Sequence, residues 1–168
     1  MHIRHATLAD AQAIIIIANT TWPVTYSTII SQEQITFMLN AFYSKAVIED
    51  QLKDASQYFF IAEENNEVLG YAHIVPYSQL NRTYKLSKLY ILPAAQGKQI
   101  GKMLMQYTEQ FLISNKIQTM LLNVNRNNPA IDFYKKMKYQ IIETVDIPLD
   151  KFWLNDYIMK KDLATYSL

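Results

Sequence analysis

A chain of 168 residues, half of them hydrophobic and 18% charged, has globular composition and enough length to bury roughly 70% of the surface its unfolded form exposes, so residues 1–168 read as a single domain. A net charge of +1, from 16 basic and 15 acidic side chains, gives no field strong enough to argue for nucleic acid or an anionic membrane as the main partner. With no cysteine and only His2, His5 and His73 as nitrogen ligands, neither disulfides nor metal catalysis is expected. The longest apolar run, Ala13 to Ala18, is too short to cross a bilayer and Met1 to His5 lacks a signal-peptide core, so a cytoplasmic protein is expected.

Residues 1–5 alternate like a short edge strand, and the oxygen-bearing side chains of Thr7-Leu8-Ala9-Asp10 then start a helix running to about Asn19. Its four isoleucines, Ile14 to Ile17, fit a buried strand equally well by periodicity; the capping signal decides for helix. From Thr20 to Phe42 the aromatic, irregular pattern predicts a broken helical segment, followed by a helix near Lys45 to Asp54. Gln57 to Glu64 and Glu67 to Pro76 are β-rich runs joined by Asn65-Asn66, a pair that tolerates positive φ, and they predict a hairpin. A third strand, Tyr84 to Leu92, ends at Pro93, which has no N–H to give a ladder.

Two of the three glycines lie in the next stretch, Gln96-Gly97-Lys98-Gln99-Ile100-Gly101. A turn bare of side chains before a helix exposes consecutive N–H groups at the positive end of the helix dipole, which makes a seat for an anionic group such as a phosphate. From Lys98 onward Ile100, Met103, Leu104, Tyr107, Phe111 and Leu112 recur at helical spacing over about four turns. Thr119 to Val124 reads as a buried strand. Pro129 suits a first helical position, and Ala130, Phe133, Tyr134 and Met137 form one face of a short helix. Tyr139 to Val145 and Leu154 to Lys160 complete the chain as strands. This order predicts an α/β (α+β) fold, a mixed central sheet of about six to seven strands with helices on both faces.

The strand Lys88-Leu89-Tyr90-Ile91-Leu92-Pro93, the turn Gln96 to Gly101, the strand Leu121 to Val124 and the helix Asn127-Asn128-Pro129-Ala130-Ile131-Asp132-Phe133-Tyr134 together resemble the GCN5-related N-acetyltransferase (GNAT) superfamily. That family pairs an Arg/Gln-x-x-Gly-x-Gly/Ala pyrophosphate loop with a later Asn-x-x-Ala-x-x-Phe-Tyr helix. A looser likeness, from Trp22-Pro23-Val24-Thr25-Tyr26 through Phe59-Phe60-Ile61-Ala62 to Asp156-Tyr157-Ile158-Met159, extends to its bacterial spermidine/spermine acetyltransferase branch.

The resemblance implies acetyl-CoA as cofactor. Its diphosphate would sit on the main chain of Gln96, Gly97, Lys98, Gln99, Ile100, Gly101 and Lys102, and its pantetheine arm would pair with Leu89, Tyr90 and Ile91 in a gap between two splayed parallel strands. Asn127 would hydrogen-bond that arm, and Tyr134 would protonate the leaving thiolate. Trp22 and Tyr26 would line the acceptor pocket, with His73, Lys85 and Ser87 as further candidates there. Where the polyamine branch carries glutamates at the start of the third strand, this chain has Lys85 and Ser87, so the base is unassigned and a polycationic acceptor is disfavoured. The middle glycine of the loop is Gln99, and Lys138 stands where a glycine usually follows the tyrosine helix.

The expected activity is direct acetyl transfer to a primary amine, the acceptor being a small amine or polyamine. The alternatives are a protein lysine or N-terminus as acceptor, or a non-catalytic acyl-CoA-binding sensor. A homodimer through an exposed β edge near the C-terminus is also expected.

Overall fold

The computed structural model describes residues 1–77 and 79–163. One sheet of seven strands runs through the molecule in the order β1-β2-β3-β4-β5-β7-β6, where β1 is His2–His5, β2 Tyr58–Glu64, β3 Glu67–Pro76, β4 Thr83–Ile91, β5 Thr119–Asn125, β6 Gln140–Leu149 and β7 Phe152–Asp162. All neighbours are antiparallel except β4 and β5, which makes the sheet mixed. A parallel pair needs a crossover, and α4 (Ile100–Ser114) supplies it.

Helices cover both faces. On one, α1 (Ala11–Tyr26), α2 (Gln32–Phe42) and α3 (Lys45–Lys53) bury Ile14, Ile17, Ile35 and Ile48 against Phe59, Ile61 and Tyr71 of the sheet. On the other, α4 sets Ile100, Leu104, Met105 and Leu112 on Phe60, Ala72, Leu86, Met120 and Leu122, with α5 (Ala130–Lys136) at the edge of this layer. Inward alternation along the strands thus feeds a core on each side. No helix among the described residues is long and apolar enough to cross a membrane.

The isoleucine run is helical. The Thr7 N–H donates to Asp10 Oδ2 at 2.7 Å, fixing a 3-10 turn from which α1 starts. That helix runs seven residues beyond the expected Asn19, carrying Pro23 in its last turn, where the missing N–H removes only one bond. The broken segment then becomes α2, capped by Ser31 Oγ accepting from the Gln34 N–H at 3.1 Å. Asn65 and Asn66 both take positive φ (51° and 64°), as the hairpin requires. Pro129 stands at the N-cap of α5 rather than inside it, and Lys138 adopts φ 73° where a glycine would be unstrained. The strands β6 and β7 are longer than their apolar cores suggest, because their ladder runs from Gln140 and Lys160 out to Leu149 and Phe152, interrupted only by a bulge at Ile142.

Candidate active site

The parallel pair β4 and β5 is laddered only over Thr83–Leu86 against Thr119–Leu122. Beyond that point β4 continues to Ile91 and β5 to Asn125 without pairing each other, while β4 stays bonded to β3 and β5 to β7. The strands splay, and the main-chain groups that Ser87–Ile91 turn towards β5 have no ladder partner there. The splay begins beside a β-bulge: His73 opposes Lys88 and Ile74 opposes Leu86, so Ser87 is the extra residue.

At the open end of the gap the chain passes Pro93–Ala95 and turns into α4. Gly97 has φ +83°, a region that disfavours a side chain, and a Cβ built there would meet nothing within 4 Å. Gln99, the N-cap, takes φ 60° and ψ 17°. The first helical N–H groups, on Ile100, Gly101 and Lys102, have no acceptor within the helix. A left-handed turn over open space, leading to free donors at a helix N-terminus, fits a diphosphate, and the unpaired edge of β4 fits an amide-bearing arm. Gly101 is less constrained: a Cβ there would lie 3.4 Å from Ile91 Cδ1 and 3.5 Å from Phe133 Cζ, ordinary contacts that alanine satisfies.

A cavity of about 1060 Å³ joins this gap to the space between α1–α3 and the sheet. Of the residues singled out in the sequence, Leu89, Tyr90, Ile91, Gln96, Gly97, Gln99, Ile100, Gly101, Lys102 and Tyr134 line it, as do Trp22, Tyr26, Lys85 and Ser87. Lys98, Asn127 and His73 do not form its wall. Asn127 is exposed, its N–H donating to Asn125 Oδ1 at 2.9 Å. The buried Asn128 lines the cavity instead, its Oδ1 accepting from the Ala130 N–H at 2.9 Å and so starting α5. His73 is fully buried behind the wall, its ring stacked on Phe59 at 3.9 Å.

The wall is rich in phenols that burial keeps protonated. Tyr134, on α5, is raised well above the ordinary phenol range by desolvation, with a smaller contribution from Tyr26. Tyr26, Tyr43 and Tyr90 are raised chiefly by the same cause. Trp22 packs on Tyr26 at 4.5 Å and on Tyr43 at 5.6 Å, giving the chamber an aromatic roof. Gln34 of α2, also on the cavity wall, donates through Nε2 to the carbonyl of Trp153 at the start of β7 at 3.1 Å, and beside it Lys151 pairs with Glu33.

Two charged groups on the wall were not singled out in the sequence. Asp156 of β7 is buried, and desolvation raises its carboxyl above the usual range against the opposing pull of Asn123, Lys85 and Arg126. Its Oδ2 accepts from Asn123 Nδ2 at 3.4 Å. Lys88 of β4 is 5% exposed; its Nζ donates to Gln51 Oε1 at 3.0 Å, lies 3.3 Å from His73 Nδ1, and sits 5.3 Å above the Tyr43 ring. Desolvation pulls its ammonium down to about 8. His73 is held well below the usual imidazole range, first by burial and then by Lys88.

The family model described as acetyltransferase (GNAT) family matches residues 17–139. An uncharacterized N-acetyltransferase of Mycobacterium tuberculosis is 27% identical over 158 residues, covering 94% of this chain and all of the relative. The spermidine N(1)-acetyltransferase of Thermoplasma acidophilum is 25% identical over 166 residues, 96% of each chain. Among solved structures, the PaiA N-acetyltransferase of Thermoplasma acidophilum in complex with coenzyme A superposes with a TM-score of 0.84 at 25% identity, over 96% of this chain and 98% of that one.

Proposed function

The chain belongs to the acetyltransferase (GNAT) family and is an acetyl-CoA-dependent N-acetyltransferase, and from that premise we propose that it acetylates a small primary amine by direct attack, with Tyr134 as general acid and Asp156 as proton acceptor. The observation that supports this reading is the shared cavity: the open edge Ser87–Ile91, the turn before α4, Tyr134 and Asp156 all bound one space. The packed aromatic group of Trp22, Tyr26 and Tyr43 on the chamber wall offers a surface suited to a small ligand, which favours a metabolite over a protein segment. The spermidine-acetylating relative also favours a small amine.

Bound acetyl-CoA supplies a thioester carbonyl as electrophile and a thiolate as leaving group. The N–H groups of Ile100, Gly101 and Lys102 would hold its diphosphate, and the main chain of Leu89, Tyr90 and Ile91 its pantetheine arm, with one N–H polarising the carbonyl. The chain's own proton work lies at two atoms. An amine with a pKa near 10.4 arrives as an ammonium, and deprotonating it at pH 7 costs roughly 4.6 kcal/mol. A carboxylate whose proton affinity burial has raised is the better matched acceptor, and Asp156 is such a group. The Tyr134 hydroxyl, kept protonated by burial, gives its proton to the departing sulfur and regains one from solvent.

Thiol release from acetyl-CoA, measured over a panel of small primary amines and a lysine-containing peptide, tests the assignment. Turnover with small amines and not with the peptide is expected; turnover confined to the peptide contradicts it.

A further inference from the structure

One cation on the wall of the acceptor chamber, Lys88, has no anionic partner among the described residues. Lys88 is enclosed by Gln51, His73 and the Tyr43 ring. The Gln57 Oε1, 2.8 Å from His73 Nε2, holds the imidazole with that nitrogen protonated, so the Nδ1 lone pair faces Lys88. Both hydrogen-bonding partners of the ammonium are therefore neutral acceptors, which orient it without cancelling its charge. No carboxylate forms an ion pair with it among the described residues, and its proton affinity is governed by desolvation alone, with no raising contribution from Asp156. Asp156 does act on Lys85, further along the chamber.

A buried charge that lacks a counter-ion is costly to keep, and a ligand of opposite charge relieves that cost. An ammonium has three donors; two are engaged, and Lys88 lies on the cavity wall. We propose that the acceptor amine carries a carboxylate of its own, and that Lys88, set by Gln51 and His73, receives this carboxylate inside the chamber. The inference rests on the small-amine reading above and narrows it to aminocarboxylates. A single ammonium flanked by neutral groups suits a monoanion better than a phosphate dianion, and it repels the second ammonium of a diamine. Lys88 is then a specificity-determining residue; Gln51 and His73 are positioning residues that act through it.

The test is a steady-state comparison of isosteric acceptors at saturating acetyl-CoA: 5-aminopentanoate, pentylamine and 1,5-diaminopentane, with the three-carbon set beside them. Wild-type enzyme is expected to favour the aminocarboxylate over its alkylamine by roughly tenfold to a hundredfold in kcat/KM, and the diamine least. Lys88→Met is expected to bring the ratio of aminocarboxylate to alkylamine close to one, through KM. Lys88→Arg keeps the charge and is expected to restore part of the preference; it also serves if the methionine variant fails to fold. Equal use of all three acceptors by the wild type, or preference for the diamine, overturns the proposal while leaving the small-amine reading standing. A Lys88→Met variant that slows both acceptors alike and leaves the ratio intact also overturns it, because that is the signature of a base. Preference for an aminoalkyl phosphate overturns the carboxylate assignment. Turnover of no small amine at all removes the small-amine reading and this one together.

Discussion

Two lysines are buried to nearly the same depth on opposite faces of the sheet, and their surroundings differ in one respect. Lys161, on the α4 side, donates to Glu109 Oε2 at 2.6 Å, and the same carboxylate accepts from the Tyr139 hydroxyl at 2.9 Å. Lys88, on the α1–α3 side, has an amide oxygen and an imidazole nitrogen, both neutral. The first cluster is internally compensated and packs between helix and sheet. The second is uncompensated and opens onto the cavity. The contrast separates structure from chemistry within one fold: burial of charge is tolerated on the α4 side because an acid is supplied, and on the other side because a ligand completes the site.

Five variants break or sharpen this contrast. The largest effects belong to the chamber. Tyr134→Phe should lower kcat by about 10²- to 10⁴-fold, the range for a lost general acid, with coenzyme A affinity by calorimetry nearly unchanged. Asp156→Asn should cost a comparable factor and erase the acidic limb of the pH–rate profile; a profile that keeps this limb would remove Asp156 from the proton path. On the compensated side Glu109→Gln should cost about 3 kcal/mol in denaturant unfolding while leaving turnover per folded molecule intact, because it strips the carboxylate shared by Lys161 and Tyr139.

Lys88→Met tests the uncompensated side by its pH dependence. The folded-state value of Lys88, about 8, lies below its ordinary 10.5, so between those limits the unfolded chain binds more protons and the residue's contribution to stability rises with pH. Its unfavourable contribution is full below pH 8 and is relieved as pH approaches 10.5, a change of about 3 kcal/mol at most. The stability of the variant relative to the wild type should therefore fall from pH 7 to pH 10, and a difference that stays flat would deny that Lys88 is an uncompensated cation. The smallest effect is expected at the turn. Gln99→Gly relieves a left-handed non-glycine residue and should stabilise by about 1 kcal/mol at most, read as a higher Tm.

Much of this architecture was legible because local chemistry and fold agree. Asn65-Asn66 demanded a tight turn, Pro93 ended a strand, and the glycine turn announced the N-terminus of α4; each holds. The proposed cofactor side of the site is built mainly of main chain, which leaves its mark as glycine and helix signals close together in sequence. The proposed acceptor side is built of side chains from distant elements, which leave no comparable local mark. Strict alternation along β4 puts Lys88 and Tyr90 on the same face as Leu86, which packs under α4. The bulge at Ser87 turns them to the other face, towards Trp22 and Tyr43, and nothing in Leu86-Ser87-Lys88 marks the extra residue. Gln51 and Asp156 reach the chamber from α3 and β7 only through tertiary packing, so neither carries a local signal. His73 lies behind the wall rather than on it, and Asn128 lines the cavity where Asn127 does not.

Amide hydrogen exchange with and without acetyl-CoA tests the central geometry most directly. Slowed exchange is expected for Gly97–Lys102 and for those N–H groups of Ser87–Ile91 that turn towards β5, the turn into α4 and the unpaired strand edge, with β1 and β2 unaffected. Binding that leaves those amides exchanging at the unliganded rate would contradict it.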